Sequence, residues 1–308
     1  FRRVQTLAKA YLDAGGAAPR LLVHDAQGAE MIRMAARHGR GLPADVVPLE
    51  LPVVGAFGHA EAVAALAAGF ASVALLPDRG ADRDALAAQV TLTAAIAGDG
   101  RIAVIDTPDP DALSAALYDA GVPAAVAEPV RPMGTRRQIT RQAARALHGD
   151  QVQLPLPEGA PYGAVLVDTE ACTLCLSCVS LCPSGALGDN PDMPQLRFQG
   201  DACLQCGLCA TICPEDAITL EPRLDLTEAA LRQEVLNEEE PFACVECGTL
   251  FGSRSAIDRI TEKLSAHPMF QGGDKLRMIQ MCDDCRVKAQ MLSEDNPFAA
   301  GERPRPRT

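Results

Sequence analysis

The chain has 308 residues, with 40 acidic against 28 basic side chains and a formal net charge of −12. That length points to two or three domains, and the acidic balance argues against general nucleic-acid binding. The sequence shows neither an uncharged apolar run long enough for a membrane-spanning helix nor a secretory signal, so a cytoplasmic location is expected.

The chain opens on Phe1 instead of methionine, which suggests a processed or partial chain with a missing preceding domain. An amphipathic helix is expected through Leu12, then a short apolar strand Leu21-Leu22-Val23-His24 and a helix from Ala29 to His38. Val46-Val47-Pro48-Leu49 and Leu51-Pro52-Val53-Val54 read as extended segments, followed by a small-residue helix from His59 to Ala68. Ala71–Leu76 is a buried strand, Asp82–Ala97 an alanine-rich helix, Arg101–Ile105 a strand and Asp109–Ala120 a helix. Strand and helix alternate with short connections. Residues 1–150 therefore form an α/β domain: a parallel sheet with helices on both faces, its edges carrying the proline-containing segments.

Three stretches of this half are Val23-His24-Asp25-Ala26, Val54-Gly55-Ala56-Phe57-Gly58 and Val73-Ala74-Leu75-Leu76-Pro77. In them it resembles the small α/β domain of the hydrogenase delta subunit and its heterodisulfide-reductase-linked relatives. The resemblance implies cysteines for a [2Fe-2S] cluster at the strand ends; this half has no cysteine, so that cluster is expected to be absent. Gly55-Ala56-Phe57-Gly58 at a strand-to-helix turn would present amide donors to the phosphate of a nucleotide or flavin. It is neither G-x-G-x-x-G nor a Walker sequence, and a tight turn explains the glycines equally well. His24 and His59, near the sheet's rim, lack an acid or nucleophile partner and read as capping or packing groups.

Arg137, Arg141 and Arg145 follow i, i+4, i+8 spacing, with Arg131 and Arg136 just before them. A solvated helix face is the plainer reading. A docking surface for an acidic partner, or for the chain's own cysteine-rich half, is the sharper one. Residues 151–164 hold Pro155, Pro157, Gly159 and Pro161 and read as a semi-rigid linker.

Cys172, Cys175, Cys178 and Cys182 run as C-x2-C-x2-C-x3-C followed by Pro183. Cys203, Cys206, Cys209 and Cys213, followed by Pro214, repeat that spacing 31 residues on. Three thiolates at intervals of three residues wrap three corners of an iron–sulfur cube, while the fourth turns toward the other cube. The expected sets are Cys172, Cys175, Cys178 with Cys213, and Cys203, Cys206, Cys209 with Cys182, holding two [4Fe-4S] clusters. Disulfides suit small secreted chains and zinc suits paired knuckles, so neither matches these unbroken runs. Residues 165 to about 222 resemble a bacterial-type 2[4Fe-4S] ferredoxin domain, an α+β module of two pseudo-symmetric halves, here placed at 165–224. Gly188–Gly200 makes the connection between the halves longer than in the shortest ferredoxins.

Cys244, Cys247, Cys282 and Cys285 form two C-x2-C pairs, the first followed by Gly248. The 34 residues between the pairs exceed the usual zinc-knuckle spacing of about 15–20. Ser255–Ala266 has helical periodicity, and a helix packed across the knuckles would bring them together. A closed four-thiolate zinc site is expected in a helical region 225–295; a third iron–sulfur cluster and four free thiols are the competing readings. Asn296–Thr308, with Pro304 and Pro306, reads as a disordered tail.

The expected role is an electron relay that passes single electrons through two cubes to a redox protein partner. The combination of halves resembles a subunit or adaptor of a larger oxidoreductase serving hydrogenases, heterodisulfide reductases or formate dehydrogenases. A formate-dehydrogenase-type partner is favoured. No catalytic residue and no substrate-converting site of its own are expected. Two other classes fit the same residues: a scaffold or maturation factor whose clusters are structural, and a flavin-dependent reductase built on the α/β half.

Overall fold

The computed structural model describes residues 1–149, 152–270 and 273–292; the tail expected at 296–308 lies outside them. Two compact units divide the chain: Phe1–Ala164 with Pro222–Leu231, and Val165–Glu221 with the chain from Arg232 onward.

The first unit runs α1 (Arg2–Asp13), β1 (Arg20–His24), α2 (Ala26–His38), β2 (Val46–Glu50), α3 (His59–Ala67), β3 (Ser72–Leu76), α4 (Arg83–Ala97), β4 (Ile102–Val104), α5 (Pro110–Asp119), α6 (Arg136–His148) and β5 (Gln153–Pro155). The four strands β2-β1-β3-β4 are parallel, with Leu22 opposite both Pro48 and Ala74. Side-chain alternation divides β1 between two cores. Leu21 and Val23 join Phe70, Leu75 and Ile96 on one face. Leu22 joins Leu76, Leu113 and Leu117 on the other, packed by Met31 and Ile32 of α2. Helices thus cover both faces, as alternating strands and helices require. Local chemistry starts the helices. Asp25, Asp82 and Asp109 accept amides of Gly28, Ala85 and Asp111, and Thr135 with Gln138 forms a capping box. Alanines let α3 be buried on every side, against α1, α4 and α6.

Pro48 sits in edge strand β2, as expected. Leu51–Val54 is not a second extended strand: Pro52 has no amide to give a ladder, and the chain turns into a short 3₁₀ helix at Val54–Ala56.

The expected linker needs correction. Over its described part it carries β5, paired antiparallel with Arg223–Asp225, and it buries Ala160 and Tyr162. Apolar side chains on both segments close this ladder: Leu224 and Leu226 join the same core.

The arginine stripe is not a solvated face either. Arg141 is 5% exposed; its guanidinium donates to the carbonyls of Asp225 and Thr227. Arg145 pairs with Glu228 at 2.9 Å. Arg137 donates to the Pro161 carbonyl at 2.6 Å and lies over the Tyr162 ring.

The second unit takes in most of β6 (Gly163–Val167), then α7 (Ser177–Ser180), β7 (Leu187–Gly188), β8 (Gln195–Phe198), α8 (Leu208–Ile212) and the start of β9 (Ile218–Asp225). Beyond Arg232 come β10 (Glu234–Glu238), β11 (Pro241–Ala243), β12 (Leu250–Ser253), α9 (Arg254–Ser265), α10 (Asp274–Ile279) and α11 (Asp283–Leu292). The region expected to be helical from 225 therefore holds a short 3₁₀ turn at Glu228–Leu231 and three strands before its first α-helix. β10 adds to the edge of β8 opposite β7, with Glu234 opposite Phe198, and so covers an edge left unpaired by the two-stranded hairpin. β11 and β12 form a hairpin of their own. Among the described residues no helix is long and apolar enough to cross a membrane.

Candidate metal centres

The 31-residue repeat of cysteines is also a repeat of backbone. Leu174 and Gln205 hold φ of 49° and 55°, Leu176 and Gly207 58° and 79°, Gly185 and Asp216 67° and 51°. Four of these six are non-glycine residues in the left-handed region, a conformation costing roughly 1–2 kcal/mol each. Repeating that strain at equivalent positions marks a shared requirement. Alternating left- and right-handed residues turn successive amides into one concavity, the kind of nest that receives anions and iron–sulfur clusters. Each nest is followed by a short helix, α7 or α8.

Hydrogen bonds cross the two halves symmetrically. The Cys172 amide donates to the Asp168 carbonyl, and the Asp168 amide to the Ala217 carbonyl, both at 2.9 Å. The Ala217 amide in turn donates to Cys213 Sγ at 3.3 Å. Its counterpart runs from the Cys203 amide to the Gly200 carbonyl, then from the adjacent Gln199 amide to the Ala186 carbonyl at 2.8 Å. Next to Ala186, the Leu187 amide donates to Cys182 Sγ at 3.5 Å. The last cysteine of each motif is thereby tied to the loop of the other.

The sulfurs sit in contrasting surroundings. Burial pushes the Cys178 thiol up to about 11, and the nearby Cys172 and Cys175 add to the rise. Cys209 is raised by burial as well. Burial also opposes ionisation of Cys182, but the Leu187 amide, the Ser184 hydroxyl and neighbouring amides outweigh it and lower its pKa. Cys175 and Cys206 are exposed. Cys182, Cys203, Cys206 and Cys209 line one cavity together with Leu187 and Phe198. Four thiols converging on a cavity with apolar walls are a donor set for a cluster shielded from water.

Residues 171–218 match the family model of the 4Fe-4S dicluster domain. This stretch is a ferredoxin-type 4Fe-4S domain. No curated protein matches the chain. The ferredoxin-type domain binds 4Fe-4S clusters, and electron transfer is the chemistry such clusters serve.

The remaining four cysteines also come together. The Sγ atoms of Cys244, Cys247, Cys282 and Cys285 all lie within 4.8 Å of one another, with Cys247 and Cys282 at 3.7 Å. Four sulfurs each about 2.3 Å from one tetrahedral ion stand about 3.8 Å apart. A [4Fe-4S] cube has irons at alternate corners, each bound to its own thiolate, and so holds the thiolates farther from each other; this spacing fits a single ion. Gly248, at φ 75°, closes the first knuckle by donating its amide to the Cys244 carbonyl at 2.9 Å. The Cys282 amide donates to Cys244 Sγ at 3.3 Å. Met281, Phe251, Met278 and Ala289 pack around the buried sulfurs.

Charge is shared unevenly among these thiols. Burial resists ionisation of Cys244, but amides of Cys247, Cys282 and Glu246 bring it down to about 6. Hydrogen bonding with Cys247, then burial, pushes Cys285 up to about 12. Crowded thiols of this kind all ionise together only around a cation.

The α/β unit offers no comparable centre among its described residues. Gln89 Oε1 accepts both the His59 main-chain amide and Nδ1–H, at 2.9 and 2.8 Å, and Tyr162 Oη lies 2.9 Å from Nε2. Burial, with Arg136 and Arg137 nearby, lowers the pKa of His59. His24 Nδ1 faces the Asp25 carbonyl, so the two histidines serve separate packing roles. A cavity at the carboxyl ends of β1, β3 and β4 is lined by Gln27, Gly28, Leu76, Arg79 and Thr107. Gly55–Gly58 does not line it. Most of the left-handed residues of the nests carry no mark in the sequence; Gly185 and Gly207, the two glycines among the six, are the visible traces.

Proposed function

We propose that the chain relays single electrons through two [4Fe-4S] clusters as a subunit or adaptor of a larger cytoplasmic oxidoreductase. Cys172, Cys175, Cys178 and Cys213 hold the first cluster; Cys203, Cys206, Cys209 and Cys182 hold the second. The crossed chain of hydrogen bonds from Cys172 to Cys213 and from Cys203 to Cys182 supports these sets. Bound, the clusters supply one-electron oxidation and reduction. The chain supplies everything else: thiolates as ligands, amides of Ala217 and Leu187 directed at two of the sulfurs, and apolar walls that keep water away. Exposed Cys175 and Cys206 bring each set to the surface, where a partner exchanges electrons. The chain has no substrate-converting role in this reading, and the favoured partner is of formate-dehydrogenase type. Cys244, Cys247, Cys282 and Cys285 bind a structural Zn²⁺.

Iron analysis of anaerobically purified protein tests the cluster number: about eight irons per chain follow from two cubes, and about four would leave one motif empty. Cys182→Ser should perturb the second cluster; spectroscopic damage to the first instead would overturn the crossed assignment. Stopped-flow reduction decides between relay and scaffold, since a scaffold's clusters turn over with no partner.

A further inference from the structure

The two halves of the ferredoxin-type domain are alike in backbone, but the four-cysteine region holds them unequally. Ser253, at the end of β12, is 7% exposed and donates its hydroxyl to the Thr173 carbonyl at 2.9 Å. Thr173 stands between Cys172 and the left-handed Leu174. Glu215, two residues after Cys213, accepts Arg259 at 3.1 Å and Lys263 at 2.9 Å, with its side chain 12% exposed. Arg259 and Lys263 lie one turn apart on α9, so both face Glu215. These grips fall on Thr173 and Glu215. The positions 31 residues away are Leu204, exposed at 43%, and Ser184. Among the described residues neither takes a hydrogen bond or ion pair from β12 or α9.

The gripping elements are continuous with the four-thiol site. β11 leads into Cys244, the Cys244 amide donates to the Thr249 carbonyl at 2.9 Å, and β12 follows directly. Phe251 of β12 packs on the Cys244, Met281 and Cys282 core and edge-on against Phe242 of β11. Ser255, at the start of α9, donates its hydroxyl to Glu239 at 2.9 Å. A metal that fixes the knuckles therefore fixes Ser253 and α9 as well.

We propose that the four-cysteine module is a positioning device for one cluster only. Ser253, Arg259 and Lys263 hold both loops that carry the ligands Cys172, Cys175, Cys178 and Cys213, so the metal-bound knuckle sets the geometry and reduction potential of the first cluster. This rests on the two-cluster, crossed-ligand reading above. The three are positioning residues; none touches a sulfur. Glu215 belongs to the first cluster through Cys213, so both grips act on the same centre.

The test is a redox titration of the full-length, cluster-loaded protein followed by electron paramagnetic resonance. In Ser253→Ala and in Arg259→Ala/Lys263→Ala one of the two cluster signals should shift in midpoint and line shape. The other should stay where it is in the wild type. Ser253→Thr keeps the hydroxyl and should restore the wild-type midpoint. In a Cys182→Ser background, which weakens the second cluster, the surviving signal should carry the shift. A readout independent of loaded clusters is amide hydrogen exchange in the cluster-free protein: Ser253→Ala should lose protection over residues 172–176 and Arg259→Ala/Lys263→Ala over 213–217, and neither over 203–207. If both clusters shift equally, or neither does, the positioning role is wrong and the relay reading stands. A wild-type protein lacking two clusters would instead overturn the relay reading itself.

Discussion

Leu176 and Gly207 stand 31 residues apart and hold the same left-handed backbone, at φ 58° and 79°. One motif uses glycine for the turn before its short helix; the other imposes it on a leucine. The turn is therefore demanded by the cluster-binding loop and not chosen by the residue. Gly207→Ala tests this, because a Cβ at Gly207 meets nothing within 4 Å. Any loss is conformational and should be about 1 kcal/mol, read by denaturant unfolding of the cluster-loaded protein. Unchanged stability would mean that the left-handed turn is not held in solution.

Arg141 and Arg145 lie on one helix and should respond differently to removal. Arg141→Ala leaves two part-buried carbonyls, of Asp225 and Thr227, without their charged donor. A loss of about 2–6 kcal/mol is expected, at about 1–3 for each of the two unsatisfied groups. Arg145 and Glu228 are 32% and 54% exposed in their side chains, so Arg145→Ala should change stability by about 0–1 kcal/mol. Thermal melting followed by far-ultraviolet circular dichroism reads both. Equal losses would show that the stripe acts through surface charge after all.

Leu226 is fully buried in a core otherwise built mostly from residues before 165. Leu226→Ala should cost about 2–5 kcal/mol and lower the melting of the α/β unit. The same contact means that deleting residues 1–150 strips Leu224 and Leu226 of their core, and such a truncation should aggregate. A well-behaved, monodisperse truncation would show that residues 222–231 do not depend on the first unit.

His59 gives a pH dependence of defined sign. Its folded pKa lies below the ordinary 6.5, chiefly through burial. Above pH 6.5 both folded and unfolded states keep it neutral, and its contribution is intact. As pH falls below 6.5 the unfolded chain takes up a proton first, so stability is lost down to the folded value. Urea unfolding at pH 7.5 and 5.5 should show a smaller drop in His59→Gln than in the wild type. A drop of the same size in both would assign the acid sensitivity to other groups.

What the sequence disclosed, and what it hid, divides by the range of the interactions. Metal ligation is local, so Cys172–Cys182 and Cys203–Cys213 announce their loops by spacing alone. β1 is legible because both its faces are buried, and β3 because its run is almost wholly apolar. The return of Arg223–Asp225 to pair with β5 was not legible, since strand pairing depends on tertiary context more than on residue preference. Arg141 misled for a related reason: its partners are main-chain carbonyls, one of them 84 residues away, and no residue type marks those. Ser253 and Glu215 are equally silent, a serine after a glycine and a glutamate after a proline, with partners 80 and 44 residues distant.

The spacing of the four sulfurs makes the last prediction. Their separations, all within 4.8 Å, suit one ion and are too short for a cube. Elemental analysis should therefore find about one zinc per chain, from one closed tetrathiolate site. Cobalt(II) exchanged into that site should show the visible bands of tetrahedral thiolate coordination. Cys247→Ser should abolish the ion, because Cys247 lies 3.7 Å from Cys282 Sγ and completes the tetrahedron. Hydrogen exchange across the described part of residues 241–292 should then rise, as structural zinc contributes directly to folding. Both clusters should still accept electrons, since their eight cysteines lie outside the knuckle, with only the first cluster's midpoint displaced. A third paramagnetic centre in the wild type that vanishes in Cys247→Ser would replace zinc with iron at this site.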